Sequence, residues 1–272
     1  MLCFPFAKIN LGLAVLNKRS DGFHNIESLL HPIQLFDIQE IIENKESDRD
    51  ELTVSGLAPA ISIEDNIVWR AVLLLRRHFE FPALKIHLHK QIPSGSGLGG
   101  GSSDAAFTLI AINQLFRLNM DKDQLMTWAL ELGSDCPYFI HSLPQYAQGR
   151  GELLVPYDLK IKNLKLVLLI PDFSVSSKEA YSKIKPNPKQ TAPKAILNQP
   201  MENWKLHLKN DFEDVVFEEF PVLAELKKAL YQKGALYVSL SGSGSAMFAL
   251  FENRIDIKAP NNYRFYWLDF PG

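Results

Sequence analysis

Apolar and polar positions alternate along Phe6–Leu16, with Ile9, Leu11, Leu13 and Val15 on one face and Lys8, Asn10 and Gly12 on the other. Strand side chains repeat every two residues, so the period predicts a strand that aims Lys8 and Asn10 the same way. Two uses of that polar face are open at this point: a solvated surface, or a cation and an amide directed into a cleft. Asp21-Gly22 marks a turn, and Phe23 and His24 follow it. Taken alone, Phe23 reads as core and His24 as solvated or satisfied. Strand-like runs at 33–42 and 52–54 flank a charged stretch, 45–51, expected to be a hairpin tip. Helical spacing of Ile67, Ala71, Leu74, Leu75 and Phe79 predicts a helix over 66–79, capped from Asp65. Residues 84–92 alternate again and predict a strand with one wet face. His87 and His89 lie on that face with no third ligand near in sequence, so they do not read as a metal pair.

The next stretch, Pro93-Ser94-Gly95-Ser96-Gly97-Leu98-Gly99-Gly100-Gly101-Ser102-Ser103, carries almost no apolar surface. It presents backbone N–H groups with nothing in front of them. A helix is expected behind it over 103–117, with Ser102 or Ser103 as N-cap. A glycine loop feeding a helix N-terminus favours an anion, because free amides and the helix dipole act together. Gly95-Ser96-Gly97-Leu98-Gly99-Gly100 fits G-x-G-x-x-G, yet the preceding strand is half wet, Pro93 intervenes, and no second strand ending in an acid follows. A Walker loop needs Lys-Ser or Lys-Thr where Ser102-Ser103 stands, and the VAIK, HRD and DFG elements of protein kinases are absent. Strongly patterned flanks argue against a flexible linker.

Asp121–Leu132 predicts another helix, with a capping box from Asp121 and Gln124 and a stop at Gly133. Asp135 then precedes Cys136-Pro137 and an apolar run; it is either a helix-capping carboxylate or a functional acid. Cys136 reads as a small buried filler, since no nearby residue would activate a thiol. A second glycine turn occupies 148–152, and a soft boundary falls near 155–163. Beyond it come an apolar strand at 166–170, a Pro- and Lys-rich surface loop at 185–200, and a helix over 214–231 interrupted at Pro221 and ended by Gly234. Strands at 236–240 and 246–251 are joined by Ser241-Gly242-Ser243-Gly244-Ser245, and a last strand is expected at 264–270.

At 272 residues and 46% hydrophobic, the chain is long enough to bury one large core or two packed ones. A net charge of −2 with mixed signs gives no basic stripe, which excludes the usual nucleic-acid footprint. Two cysteines, Cys3 and Cys136, make no disulfide framework, and no apolar run is long enough for a membrane span or a signal peptide. These features lead us to expect a soluble intracellular protein, in the cytoplasm.

Six short blocks carry a resemblance. They are Ala7-Lys8-Ile9-Asn10-Leu11, Asp21-Gly22-Phe23-His24, Glu64-Asp65-Asn66, Gly97–Ala106, Gly133-Ser134-Asp135-Cys136-Pro137 and Gly149-Arg150-Gly151-Glu152. With the late turn at Ser241–Ser245, they follow the order of the GHMP kinase superfamily, which includes galactokinase and the homoserine, mevalonate and phosphomevalonate kinases. The match is most specific to the branch that phosphorylates a cytidyl diphosphate sugar alcohol in non-mevalonate isoprenoid synthesis; residues 155–235 match only loosely.

The resemblance implies an α+β fold in two lobes: an N-terminal ATP-binding domain over 1–157, and a C-terminal domain over 158–272 with a mostly antiparallel sheet and helices. It implies ATP and Mg²⁺, with Pro93–Ser103 wrapping the triphosphate and Asn66 on the adenine side. No dedicated metal ligand is identified; Ser103 and the phosphates are the candidates. Asp135 is implied as the catalytic carboxylate with Lys8 beside it. Asn10, Phe23, His24 and Tyr181 are implied as substrate contacts. Phe23 stands where the family usually has Tyr, so a stacking face is kept and a phenol hydrogen bond is lost. Cys136 replaces the usual aliphatic neighbour of the acid. Another small-molecule kinase of the superfamily, or a nucleotide sensor without catalysis, are the alternative functions. The expected partners are ATP and a small-molecule substrate, with no nucleic acid and no membrane; monomer or homodimer is left open.

Overall fold

The computed structural model describes residues 1–161 and 163–270. Its strands, in chain order, are β1 (Leu2–Cys3), β2 (Phe6–Lys18), β3 (His24–Phe36), β4 (Ile38–Glu43), β5 (Glu51–Gly56) and β6 (Leu84–Lys90). Further on come β7 (Gln145–Gln148), β8 (Leu153–Pro156), β9 (Leu164–Pro171), β10 (Tyr237–Leu240), β11 (Met247–Phe251) and β12 (Tyr263–Phe270). The helices are α1 (Ile67–Arg76), α2 (Gly100–Phe116), α3 (Lys122–Leu132), α4 (Tyr138–His141), α5 (Ser177–Lys183), α6 (Pro193–Leu197), α7 (Trp204–His207), α8 (Phe212–Glu219) and α9 (Pro221–Gln232).

The chain gathers into two compact units. The first holds Met1–Ala7, Leu35–Ser94 and Gly99–Ser142; the second holds Lys8–Gln34, Gly95–Leu98 and the described part of Leu143–Gly272. In the first unit a sheet runs β1-β4-β6-β5. The alternation read from 84–92 is realised in β6: Leu84, Ile86 and Leu88 are buried, while Lys85 and His87 are exposed. On that wet side Thr53 Oγ1 bonds His87 Nδ1 at 2.8 Å, and Ser55 Oγ bonds His89 Nδ1 at 2.9 Å. Helix α2 packs on α1, α3 and α4, burying Ala105, Ala106, Leu109 and Ile112.

Four sequence expectations are corrected here. The stretch 45–51 is no hairpin tip, because β4 pairs antiparallel with β6 and β5 pairs parallel with the other edge of β6. Both edges of β6 thereby find partners for their backbone N–H and C=O groups. Helix α1 is capped by Asn66, whose side chain accepts from the Val68 amide, and not by Asp65. Helix α2 starts at Gly100, its N-cap is Gly99 with φ 74°, and no side chain caps it; glycine alone tolerates that left-handed turn without strain. The 185–200 loop contains α6, which buries Pro193, Ile196 and Leu197. The capping box of α3, by contrast, is complete.

In the second unit one sheet runs β2-β3-β7-β8 and another β10-β11-β9-β12. All pairings of the latter are antiparallel. Val167 and Leu169 of β9 pack with Val238, Leu240, Met247 and Ala249, and with Phe212, Val216, Leu223 and Leu230 from α8 and α9. His31 of β3 is buried, 4.3 Å from the Phe270 ring, with its Nδ1 2.8 Å from the Pro32 carbonyl oxygen. Burial disfavours the imidazolium and lowers its pKa from 6.5 to about 4, against a smaller opposing effect of the Pro32 carbonyl. The unfolded chain therefore takes up a proton that the native state refuses. The His31 contribution is fully present above pH 6.5 and is lost as the pH falls toward 4. Between pH 7.5 and pH 5 it removes about 2 kcal/mol of stability. Urea unfolding at both pH values, on the native chain and on His31→Phe, checks this; an equal pH slope in both proteins contradicts it.

Candidate active site

In the second unit Lys8 and Asn10 occupy buried positions of β2, which removes the solvated-surface reading of that face. The Lys8 ammonium donates to Asn10 Oδ1 at 2.7 Å and to the Gly97 carbonyl oxygen at 2.9 Å. Asn10 Nδ2 donates onward to Ser28 Oγ at 2.8 Å, and Ser28 Oγ to the Gly12 carbonyl at 2.6 Å. The backbone amide of Lys8 also donates to the Leu98 carbonyl. A strand cation is thus tied twice to the middle of the glycine stretch.

The same segment is gripped from its other side by the late glycine-serine turn. Ser241 Oγ donates to the Gly97 carbonyl at 2.8 Å, and the Ala246 amide donates to the Ser96 carbonyl at 3.0 Å. Gly97 has φ 79°, and a Cβ there would lie 1.9 Å from the Ser241 carbonyl oxygen. Residues 241–245 were legible as a turn, but their clamp on Gly97 is a contact 144 residues apart in the chain. Only the repeated Gly-Ser composition of the two runs hinted at it.

In the first unit the glycine stretch resumes at Gly99 and becomes the first turn of α2. No side chain occupies its leading amides, which leaves the helix start with its partial positive charge available to an anion. Ser103 Oγ is buried there with no hydrogen-bond partner among the described residues, an orphaned oxygen that suits a phosphate or a phosphate-bound cation. Among the described residues no cluster of three His, Cys, Asp or Glu side chains could hold a metal ion.

Asp135 lies half-buried in the turn before α4. The N-cap position of α4 is Pro137, with no side-chain cap bond, so the capping role for Asp135 falls away. Cys136 explains how this turn meets α2. It is fully buried, next to the Ser102 side chain in the first turn of α2. Desolvation pushes that thiol up to about 12, which excludes a nucleophilic thiolate and agrees with the filler reading. Behind it Phe6 packs edge-on to Tyr138 at 6.2 Å and to Phe107 at 5.8 Å. Asp135 thus stands on a turn anchored to the start of α2. Asn66 sits at the start of α1 in the same unit, with its oxygen used as the helix cap.

Tyr181, on α5, stacks on His24 at 5.2 Å with an interplanar angle of 22°. It also meets the buried Phe212 edge-on at 4.7 Å. Phe23 is 47% exposed, with the Arg150 guanidinium 4.9 Å from its ring centre. The second unit therefore brings Tyr181 to His24 directly, while Phe23 carries a cation on one face.

An uncapped helix start behind a glycine stretch suits a bound phosphate, and the comparisons with known proteins define the class as that of a small-molecule kinase. A family model described as the GHMP kinases N terminal domain matches residues 66–142, and one described as GHMP kinases C terminal matches residues 193–259. A protein of Bacteroides thetaiotaomicron named 4-diphosphocytidyl-2-C-methyl-D-erythritol kinase is 45% identical over 253 residues, covering 93% of this chain and 92% of its own. A like-named protein of Parabacteroides distasonis is 45% identical over 95% of this chain and 94% of its own. A crystal structure of a 4-(cytidine 5'-diphospho)-2C-methyl-D-erythritol kinase superposes with a TM-score of 0.80 at 30% identity, covering all of both chains. A homoserine kinase of Cytophaga hutchinsonii shares the fold, with a TM-score of 0.60 at 22% identity over 92% of this chain and 85% of its own. The chain belongs to the GHMP kinase family. Its mixture of helices and mostly antiparallel sheets is the α+β fold of that family.

Proposed function

We propose that this kinase transfers the γ-phosphoryl group of ATP to a hydroxyl of 4-diphosphocytidyl-2-C-methyl-D-erythritol, in the cytoplasm, as a step of non-mevalonate isoprenoid synthesis. The observation that carries the catalytic part is the uncapped start of α2 in the same unit as the Asp135 turn, with the buried Cys136 of that turn next to Ser102 of the helix. The substrate assignment rests on the names and the 45% identity of the relatives. Residues 93–103 bind the triphosphate through backbone amides, and Asn66 lies on the adenine side. Asp135 orients the acceptor hydroxyl and takes its proton as the bond to phosphorus forms. The Lys8 ammonium offsets charge on the transferring oxygens. Positioning and charge stabilisation do most of this work, because a loose phosphoryl-transfer transition state needs little from a base until late. Mg²⁺ would neutralise charge between the β- and γ-phosphates, with the Ser103 hydroxyl as the protein atom available to it.

Asn10 and His24 contact the second substrate, and the rings of Phe23 and Tyr181 hold its cytosine. Tyr181 already stacks on His24, so an entering base exchanges one ring contact for another. The effect of removing Tyr181 then falls in the lower part of the roughly 1–3 kcal/mol found for base–aromatic contacts. Tyr181→Ala is expected to raise KM for the cytidyl substrate about tenfold and to leave KM for ATP nearly unchanged, while Tyr181→Phe behaves as the native chain. Equal rises in both KM values reject the assignment. An ADP-release assay with the purified chain, ATP, Mg²⁺ and the cytidyl substrate tests the reaction itself, and the absence of turnover rejects it.

A further inference from the structure

Lys90 ends β6 on the wrong face for a lysine. The inward register of that strand runs Leu84, Ile86, Leu88, and Lys90 is next, only 3% exposed. Its ammonium donates to Asp37, which is fully buried between β3 and β4, and to Asp104 Oδ2 at 2.6 Å. Asp37 in turn accepts from the amides of Gln91 at 2.5 Å and Ile92 at 2.9 Å. Asp104 sits just past the first turn of α2, two per cent exposed. All of these groups lie in the first unit. The helix settles closely onto this cation: a Cβ on Gly100 would lie 2.7 Å from Ile92 Cγ2 and 3.3 Å from Lys90 Nζ.

A helix start is normally steadied by a side chain that accepts from its leading amides. Such a cap would occupy the amides that an incoming phosphate needs, and α2 has none. Something else must hold the turn. We propose that Lys90 is a positioning residue for nucleotide binding: by bridging Asp37 and Asp104 it locks the start of α2 to the exit of β6 from behind, so that the amides of Gly100–Ser102 stay aimed and unoccupied in front. The inference deepens the kinase reading and rests on it. The electrostatics agree with the geometry. Desolvation opposes the Lys90 charge, but Asp104 and Asp37 outweigh it and hold its pKa above the ordinary lysine value. With two carboxylates and one ammonium, the surplus falls on Asp104, which desolvation keeps well above the usual carboxylate range. Deleting the Asp104 carboxylate therefore leaves a balanced Lys90–Asp37 pair, and the variant should fold.

The test uses the full chain and three variants, with KM measured for each substrate and the melting temperature followed alongside. Asp104→Ala cuts the link to the helix and is expected to raise KM for ATP about tenfold, since a small misalignment of binding groups has effects of this size. KM for the cytidyl substrate should stay within about twofold of the native value, because the link acts on the nucleotide amides alone. Asp104→Asn keeps an acceptor for Lys90 and should recover most of the ATP affinity. Asp37→Asn/Lys90→Met/Asp104→Leu replaces the charged triad by neutral groups and should stay folded with the same raised KM for ATP. A folded Asp104→Ala or triple variant with native KM for ATP overturns the inference, as does a parallel rise in both KM values. A native chain that binds no ATP overturns the kinase reading and the positioning role with it; a native chain that turns over beside unaffected variants overturns the positioning role alone.

Discussion

Asp135→Asn should lower kcat by at least about a hundredfold, the scale of a lost general base or beyond. The substitution keeps the size and planarity of the side chain and removes its ability to accept a proton. The turn has anchors besides the carboxylate: Cys136 is fully buried, and Phe6 packs on Tyr138 behind it. The melting temperature and KM for ATP should therefore stay close to native, and the loss should appear in kcat alone. Near-native turnover in a folded Asp135→Asn chain removes Asp135 from the chemistry. A fall in kcat with an equal fall in thermal stability would instead make it a structural acid.

Gly97→Ala should be the most damaging single methyl in the second unit. Gly97 has φ 79°, and the added carbon would lie 1.9 Å from the Ser241 carbonyl oxygen and 3.1 Å from that of Gly244. Both neighbours are backbone, so neither can swing aside as a flexible side chain would. Left-handed strain of about 1–2 kcal/mol adds to the overlap, for a total on the order of 3–5 kcal/mol. Gly22→Ala separates the two causes: Gly22 has φ 86° and nothing within 4 Å of the new carbon, so only the strain of about 1–2 kcal/mol applies. Denaturant midpoints of the two variants measure the difference. Equal losses would show that the turn at 241–245 does not clamp the glycine stretch.

How far the site could be read without coordinates depended on the range of each signal. The glycine loop at 93–99 and the helix behind it, on which the proposed phosphate site rests, were legible because glycine-rich composition ahead of a helical period is a local pattern. The start of α2 was misread by three residues, since a serine looks like a better cap than Gly99 and a cap that must stay open for a ligand leaves no mark. Lys8 and Asn10 were legible as sharing a face, yet their burial was not, because it depends on what covers β2. Tyr181 was named only through resemblance; its stack on His24 joins residues far apart in the chain. That Cys136 is buried next to Ser102 of α2 left no trace in composition at all.

The amino-acid order by itself determined where strands and helices run and where the chain can turn. Period-two and helical spacing, the capping box of α3 and the breaks at Pro221 and Gly234 act within a few residues and are sensed by sterics and hydrogen bonds inside that window. Tertiary structure decided which strand stands beside which, and which polar groups meet. The placing of β6 between β4 and β5, the inward Lys90 between two acids, and the grip of Ser241 on Gly97 come from segments tens to hundreds of residues apart. Each is selected by the free energy of burying apolar faces and satisfying the polar groups trapped among them, a quantity that belongs to the packed whole and to no stretch of the chain alone.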